Sequence, residues 1–285
     1  MKIVILGAGR IGGSLARNLS NSDYQVSIVD QNKIRLSDLE DKLDIMTVEG
    51  NASSLLTLKK SGLDEDTIVI AVTSNDEANI IACQIAKNAF NVKKTICRFK
   101  DDSYIDQLNI FGEGIIDIPI SPENEVTSHL IELIKHPGAE QIEEFAEGKV
   151  KLVSVKAKKK GKLVGRELRH IKDDIPEVDA YIPSIYRKGK PFIPSGDTVI
   201  KENDEVYFIS SEANIGPIVD EFRVHEDSYS RIMIVGGGKI GFSLAKDLEK
   251  TYKVKLIDSN SERCSSLSKD LEKTIVLCGS ATDEN

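Results

Sequence analysis

The sequence predicts an α/β protein: a doubly wound parallel sheet, a small α+β domain after it, and then the first part of a second doubly wound sheet. Three observations predict this. Short apolar runs alternate with helical periodicity from residue 2 to residue 136. A glycine-rich turn, Gly7-Ala8-Gly9-Arg10-Ile11-Gly12, stands between the first strand and the first helix. Residues 2–20 (KIVILGAGRIGGSLARNLS) return as residues 231–249 (RIMIVGGGKIGFSLAKDLE), at an offset of 229 and with eight of thirteen residues identical between 7–19 and 236–248. Strands that alternate with helices imply parallel βαβ units with right-handed crossovers.

KIVIL (2–6) is a continuous apolar run, as a strand buried on both faces requires. The glycine turn leads into a helix through Ser14, Leu15, Ala16 and Leu19. QVSIVD (25–30) is the second strand, a helix spans 32–43, and DIMTVEG (44–50) is the third strand. A short helix over 53–62 has Gly62 as its C-cap. TIVIAVTS (67–74) is a strand, followed by a helix over 76–90 capped by Ser74 or Asn75. KTICRF (94–99), a helix around 103–110 and GIIDIPI (114–120) complete the alternation. Ser121-Pro122 opens another helix, which carries Val126, Leu130, Ile131, Leu133 and Ile134 and stops before Pro137-Gly138. From Gly148 to Ser211 the pattern changes to β runs, VKLVSVKA, DAYIPSIYR and DEVYFIS, with short helices at 166–170 and 214–222. The basic run KAKKKGK (156–162) falls in an expected hairpin loop; it reads as a solvated turn or as a contact for an acidic partner or membrane surface. A polar connector, 223–230, joins this region to the second copy.

Composition narrows the function. The chain has 285 residues, 38 Lys+Arg against 46 Asp+Glu, and a net charge of −8. An acidic chain argues against general nucleic-acid binding. Cys83, Cys97, Cys264 and Cys278 form no C-x-x-C pair, so neither a disulfide scaffold nor a structural zinc site is expected. Cys83 reads as helix core, and His129 and His136 as surface or interface residues without a third ligand. No apolar run reaches the ~18 residues of a membrane span, and the first strand begins at residue 2, so no signal peptide is expected. The second copy stops at Asn285, equivalent to position 56, which reads as truncation of a longer protein.

The glycine turn carries the chemistry. In a Rossmann-like βα unit Gly7 permits the tight turn, Gly9 lets a pyrophosphate approach the backbone, and Gly12 lets the helix pack on the strand. The helix N-terminus offers N–H groups and partial positive charge to phosphates, and Arg10 adds a cation. Asp30, at the end of the second strand, is placed to accept the ribose hydroxyls of an adenosine and to repel a 2′-phosphate; as an alternative it caps the following turn. Ligands in this topology lie over the C-terminal strand ends. That points to Asn51 and Ala52, to Thr73 and Ser74 as phosphate or ribose contacts or as helix caps, and to Arg98. Arg98 needs an anion: a phosphate, Asp30 or another carboxylate. Asp258 repeats Asp30 after Gly236, Gly237, Gly238, Lys239, Ile240 and Gly241. No Ser-His-Asp order or H-E-x-x-H motif occurs, and the small domain offers only His170 as an acid/base candidate. Three functions stay open: a ligand-sensing regulator, an NAD-dependent oxidoreductase, and an adaptor with empty glycine turns.

MKIVILGAGRIGGSLA, VEGNAS, AVTSNDEANIIACQIA, ICRF, HPGAEQIEEFAEGKVKLVSV, IPSGDTVIKENDEVYFIS and RIMIVGGGKIGFSLAKDLE together resemble the RCK/KTN family, regulators of K⁺ conductance. The resemblance covers the whole chain. It implies a Rossmann-like RCK-N domain over 1–137, an RCK-C domain over 138–222 and an incomplete second RCK-N domain over 231–285. It implies a non-enzymatic, cytoplasmic, homo-oligomeric protein (dimer to tetrameric ring) at the inner face of the membrane. There it would bind an integral-membrane K⁺-translocating subunit without inserting itself. Implied ligands are NAD(H) and, alternatively, ATP or ADP. Their contacts carry over onto Gly7, Ala8, Gly9, Arg10, Ile11, Gly12, Asp30, Asn51, Thr73, Ser74 and Arg98, and onto Gly236, Gly237, Gly238, Lys239, Ile240 and Asp258. Two departures stand out: Asn51 replaces the Asp of many relatives, and the second unit lacks counterparts of Thr73, Ser74 and Arg98. In the regulatory scheme this implies, nucleotide binding shifts the RCK-N domains, and the apolar face of the 121–136 helix carries the shift to a neighbouring subunit.

Overall fold

The computed structural model describes residues 1–22, 24–146, 148–174, 179–223 and 229–282. The chain divides into two compact units, Met1–Glu123 and Asn124–Asn285. In the first, β1 (Lys2–Leu6), α1 (Arg10–Ser20), β2 (Gln25–Asp30), α2 (Lys33–Glu40), β3 (Met46–Glu49), α3 (Leu55–Lys60), β4 (Thr67–Ala71), α4 (Asp76–Phe90), β5 (Lys94–Arg98), α5 (Ser103–Asp106) and β6 (Ile118–Ile120) follow in order. All six strands are parallel, in the order β3-β2-β1-β4-β5-β6. The order reverses direction between β1 and β4, the switch point at which such sheets open a crevice. One core layer, around Leu58, Ile80, Cys83 and Phe99, and another, around Ala16, Leu36 and Leu39, cover the sheet. The long helix expected at 103–110 is instead the single turn α5 and a separate 3-10 turn, Leu108–Phe111. Of the expected run 114–120, only Ile118–Ile120 is strand.

In the second unit, α6 (Pro122–Lys135) leads to β7 (Ala139–Phe145), β8 (Val150–Lys156), α7 (Ile171–Asp174), β9 (Tyr181–Arg187), β10 (Lys190–Phe192), β11 (Glu205–Ser210) and α8 (Glu212–Phe222). The five strands form an antiparallel sheet, β10-β9-β11-β8-β7. β8 lies between β7 and β11, so the turn 156–162 is not a hairpin loop: Gly161 closes it by donating to the Lys158 carbonyl at 2.7 Å. Asp204, 1% exposed, holds the Arg187 guanidinium through both carboxylate oxygens, at 2.8 and 2.7 Å.

The repeat follows as β12 (Arg231–Val235), α9 (Lys239–Leu248), β13 (Lys253–Asp258), α10 (Ser261–Asp270) and β14 (Ile275–Cys278), a parallel sheet ordered β12-β13-β14. The two copies agree in detail. Gly7 donates to Val29 at 2.7 Å and Gly236 to Ile257 at 2.8 Å; Gly50 donates to Asp30 and Gly279 to Asp258, both at 3.0 Å. The apolar face of α6 is partly covered within this unit. Leu130, Ile131 and Ile134 pack against the core of the repeat, and Leu133 against the antiparallel sheet. These four residues are half-buried and Val126 is exposed, so part of the apolar face stays open on the single chain. Most of the connector expected at 223–230, with His225, lies outside the described residues. Among the described residues, no helix is long and apolar enough to cross a membrane.

Candidate nucleotide-binding cleft

A cleft of about 970 Å³ opens over the C-terminal ends of β1, β2, β4 and β5. Its floor is the glycine turn. Gly7 sits at φ +105°, which no side chain favours, and a Cβ there would touch the Thr73 backbone at 3.0 Å. Gly12 lies under the turn, where a Cβ would fall 1.8 Å from the Gly7 carbonyl oxygen. Gly9 differs: its φ is −70°, and a Cβ would meet nothing within 4 Å. The fold therefore requires glycine at 7 and 12, whereas at 9 the absent side chain leaves open space facing the cleft.

The start of α1 is built for an anion. α2, α3 and α4 begin with the side chains of Asn32, Ser54 and Asn75 capping a backbone N–H. α1 begins at Gly9 with no side-chain cap and has no acidic residue in its first turn. Its first N–H groups thus face the cleft with the positive end of the helix dipole. Arg10 is exposed on the rim, and Ile11 lines the wall.

Asp30 fastens the turn as well as facing the cleft. One carboxylate oxygen accepts from Ala8 N at 2.6 Å and the other from Asn32 N at 2.7 Å. Each oxygen keeps a second lone pair for a ribose hydroxyl. Removing Asp30 therefore disturbs the loop too, and Asp30→Ala is expected to lower apo stability by about 1–2 kcal/mol as well as weaken ligand binding. A thermal melt without nucleotide checks the first effect.

Asn51 and Ala52 line the cleft beyond β3, and Asn51 Oδ1 accepts from Ser53 N at 2.9 Å. Thr73 and Ser74 line it beyond β4, but Asn75 is the cap of α4. The Thr73 hydroxyl donates to Asn79 Oδ1 at 2.6 Å. Fully buried Asn79 also accepts from Thr73 N at 3.0 Å and donates to the Arg98 carbonyl at 3.0 Å. It ties the β4 and β5 ends together, a positioning role that the helical pattern alone does not reveal. Arg98 finds its anion in Glu123, the second residue of α6, with Nη2 to Oε1 at 2.5 Å, rather than in Asp30. The Arg98 Nε lacks a partner. Arg35 joins the same lining and also faces an adjoining groove with Arg10, Arg17 and Asp38, to which Ala8 belongs.

The second copy reproduces the turn at Gly236, Gly237, Gly238, Lys239 and Ile240, with an equally uncapped α9. Asp258 accepts from Gly237 N at 2.7 Å and Asn260 N at 2.8 Å. Unlike Asp30, it is only 6% exposed and also holds Arg263 Nη1 at 3.1 Å. The Asn260 and Gly237 amides, with Arg263, keep its carboxyl below the usual range.

The TrkA-N domain model matches residues 3–122 and 232–285, the two copies, and the TrkA-C domain model matches 152–223. The chain belongs to the TrkA-N domain family. It is 44% identical over 286 residues to the Trk system potassium uptake protein TrkA of Halomonas elongata, and 44% identical over 287 residues to that of Vibrio alginolyticus. Each alignment covers 100% of this chain and 63% of the relative, so the chain spans less than two thirds of their length. Among solved structures, the GsuK channel bound to NAD shares the fold at a TM-score of 0.67 and 17% identity, covering 99% of this chain and 49% of that one.

Proposed function

We propose that the chain is a nucleotide-binding regulatory subunit of a K⁺ uptake system, acting on an integral-membrane K⁺-translocating partner at the inner face of the membrane. Its ligand is NAD(H), with ATP or ADP as alternatives that share the adenosine and pyrophosphate. The observation that carries the reading is the cleft itself: an uncapped helix N-terminus, open space at Gly9 and a carboxylate at the ribose end. Its role is regulation rather than catalysis. Among the described residues that line the cleft there is no His, Cys, Lys or Tyr, and its two carboxylates are engaged, Glu123 by Arg98 and Asp30 by the Ala8 and Asn32 amides; a hydride transfer to substrate needs a placed acid or base. We assign the RCK-N role to 1–137, the RCK-C role to 138–222 and a partial second RCK-N to 231–285, in a homo-oligomer.

Thermal shift and fluorescence titration with NADH, NAD, ATP and ADP test the reading. A ligand at ~100 times its Kd adds about 2.7 kcal/mol of stability. Gly9→Ala is expected to melt within a degree or two of the parent without ligand and to bind at least about tenfold more weakly, because its methyl fills the space left for the pyrophosphate. No shift from any of the four ligands sinks the reading. Turnover of a small substrate with NAD would favour the oxidoreductase.

A further inference from the structure

Two pairs of cysteines are brought together where a helix packs on a strand, and they differ in one respect. Cys83 on α4 and Cys97 on β5 share one core layer, and both are fully buried. Cys264 on α10 faces the end of β14, where Cys278 stands. Here Cys264 is 6% exposed, but Cys278 is open to solvent. The geometry of the second pair is fixed by the strand ends. Cys264 Sγ donates to the Asp258 carbonyl at 3.2 Å and approaches the Leu277 carbonyl at 3.9 Å. Cys278 pairs with Asp258 in the β13–β14 register. The two thiols thus flank one residue, the carboxylate-bearing end of the second glycine turn.

We propose that Cys264 and Cys278 are an oxidation site, a dithiol that a hydroperoxide converts to an intrachain disulfide. The Cys278 thiolate attacks the peroxide O–O bond, forming an S–O bond; the O–O bond breaks, and water leaves after protonation. Cys264 sulfur then attacks the sulfenic sulfur. The S–S bond forms, the S–O bond breaks, and the Cys264 proton leaves with the second water. The dithiol loses two electrons and the peroxide gains two, so the sum is two thiols and H₂O₂ giving one disulfide and two waters. Exposure assigns the order: peroxide reaches Cys278, and Cys264 resolves. Burial, with the adjacent Cys278 thiol, pushes the Cys264 thiol up, which suits a resolving rather than an attacking group. Cys83 and Cys97 share a core layer but have no access, which makes them an internal control.

The test is H₂O₂ added to the reduced chain, alkylation of the remaining thiols, and peptide mass spectrometry without reductant. Two of the four thiols are expected to disappear, with a crosslinked peptide holding Cys264 and Cys278 that dithiothreitol reverses. Cys83 and Cys97 are expected to alkylate only after denaturation. Cys264→Ser is expected to leave a dimedone-reactive sulfenic acid at Cys278. Recovery of all four thiols overturns the proposal. So does oxidation that settles on Cys83 or Cys97, or a Cys278 sulfinic acid beside a free Cys264. The readout on the unaltered chain does not depend on any variant folding.

Discussion

Gly12→Ala is expected to lower the melting temperature of the first unit by several degrees and to abolish measurable nucleotide binding. The added Cβ lands 1.8 Å from the Gly7 carbonyl oxygen and 3.3 Å from Ile5 Cγ2. The first of these is backbone, so no rotamer relieves it; α1 must move off β1 or the turn must open. In an exposed helix, Gly→Ala stabilises by ~1 kcal/mol. Here overpacking of about 1–3 kcal/mol opposes that gain, and backbone rigidity places the cost at the upper end. Binding suffers more than stability, because the displaced element is the one that holds the phosphate-facing N–H groups. Gly241→Ala is the matched control: its Cβ falls 1.9 Å from the Gly236 oxygen in the repeat. It is expected to destabilise the second unit while leaving nucleotide affinity at the first cleft within about twofold. Denaturant unfolding and ligand titration on both variants separate the effects. Normal binding by Gly12→Ala would remove the turn from the site.

The contrast between these glycines shows what the sequence discloses. β1 and β2 match the reading residue for residue, since runs such as KIVIL and QVSIVD bury nearly every side chain and leave no competing period. The glycine turn is legible because its demands are local. β7 is not legible: in AEQIEEF only Ile142 is buried, so its one inward side chain is lost among exposed glutamates. The turn at 156–162 reads as a hairpin from sequence, yet the neighbour of β8 is β11, about fifty residues on, and nothing local encodes that pairing. The site shows the same division. Gly7, Asp30 and Thr73 follow from strand ends, whereas the Glu123 partner of Arg98 and the Asn79 brace depend on which strands lie side by side. His136 is a further case. Its sequence neighbours suggest isolation, yet α6 and α8 bring its ring together with Glu132 and Glu212.

That cluster supports the largest stability effect expected in the chain. Lys151 on β8 is 2% exposed and meets three carboxylates: Glu132 of α6, Glu144 of β7 at 3.1 Å and Glu212 of α8 at 3.8 Å. Burial pushes the lysine down, but the hydrogen bonds it donates to Glu132 and Glu144 outweigh it and leave its pKa raised. Burial likewise pushes Glu132 up, and Lys135 and Lys151 outweigh it and hold it low. Lys151→Ala leaves Glu132, 14% exposed, in a poorly solvated site with one cation gone. Removing one member of a buried pair costs about 3–5 kcal/mol; with Glu144 and Glu212 more than half exposed, we expect about 3. The pH dependence has a definite sign. The depressed Glu132 contributes above its unfolded value of 4.5 and is lost as pH falls through its folded value; the raised Lys151 contributes below 10.5 and is lost as pH rises through its own. The gap between parent and variant is therefore widest between those values and closes in acid, where the stranded carboxylate takes a proton. Urea unfolding at neutral and acid pH measures both features. Glu144→Gln, at the exposed rim, is expected to cost less than ~1 kcal/mol. Lys151→Met with Glu132→Leu is expected to regain much of the loss, since an apolar pair leaves no charge to desolvate. A Lys151→Ala variant within ~0.5 kcal/mol of the parent at neutral pH would show that the three carboxylates are solvated, and that β8 is held in place by its apolar face alone.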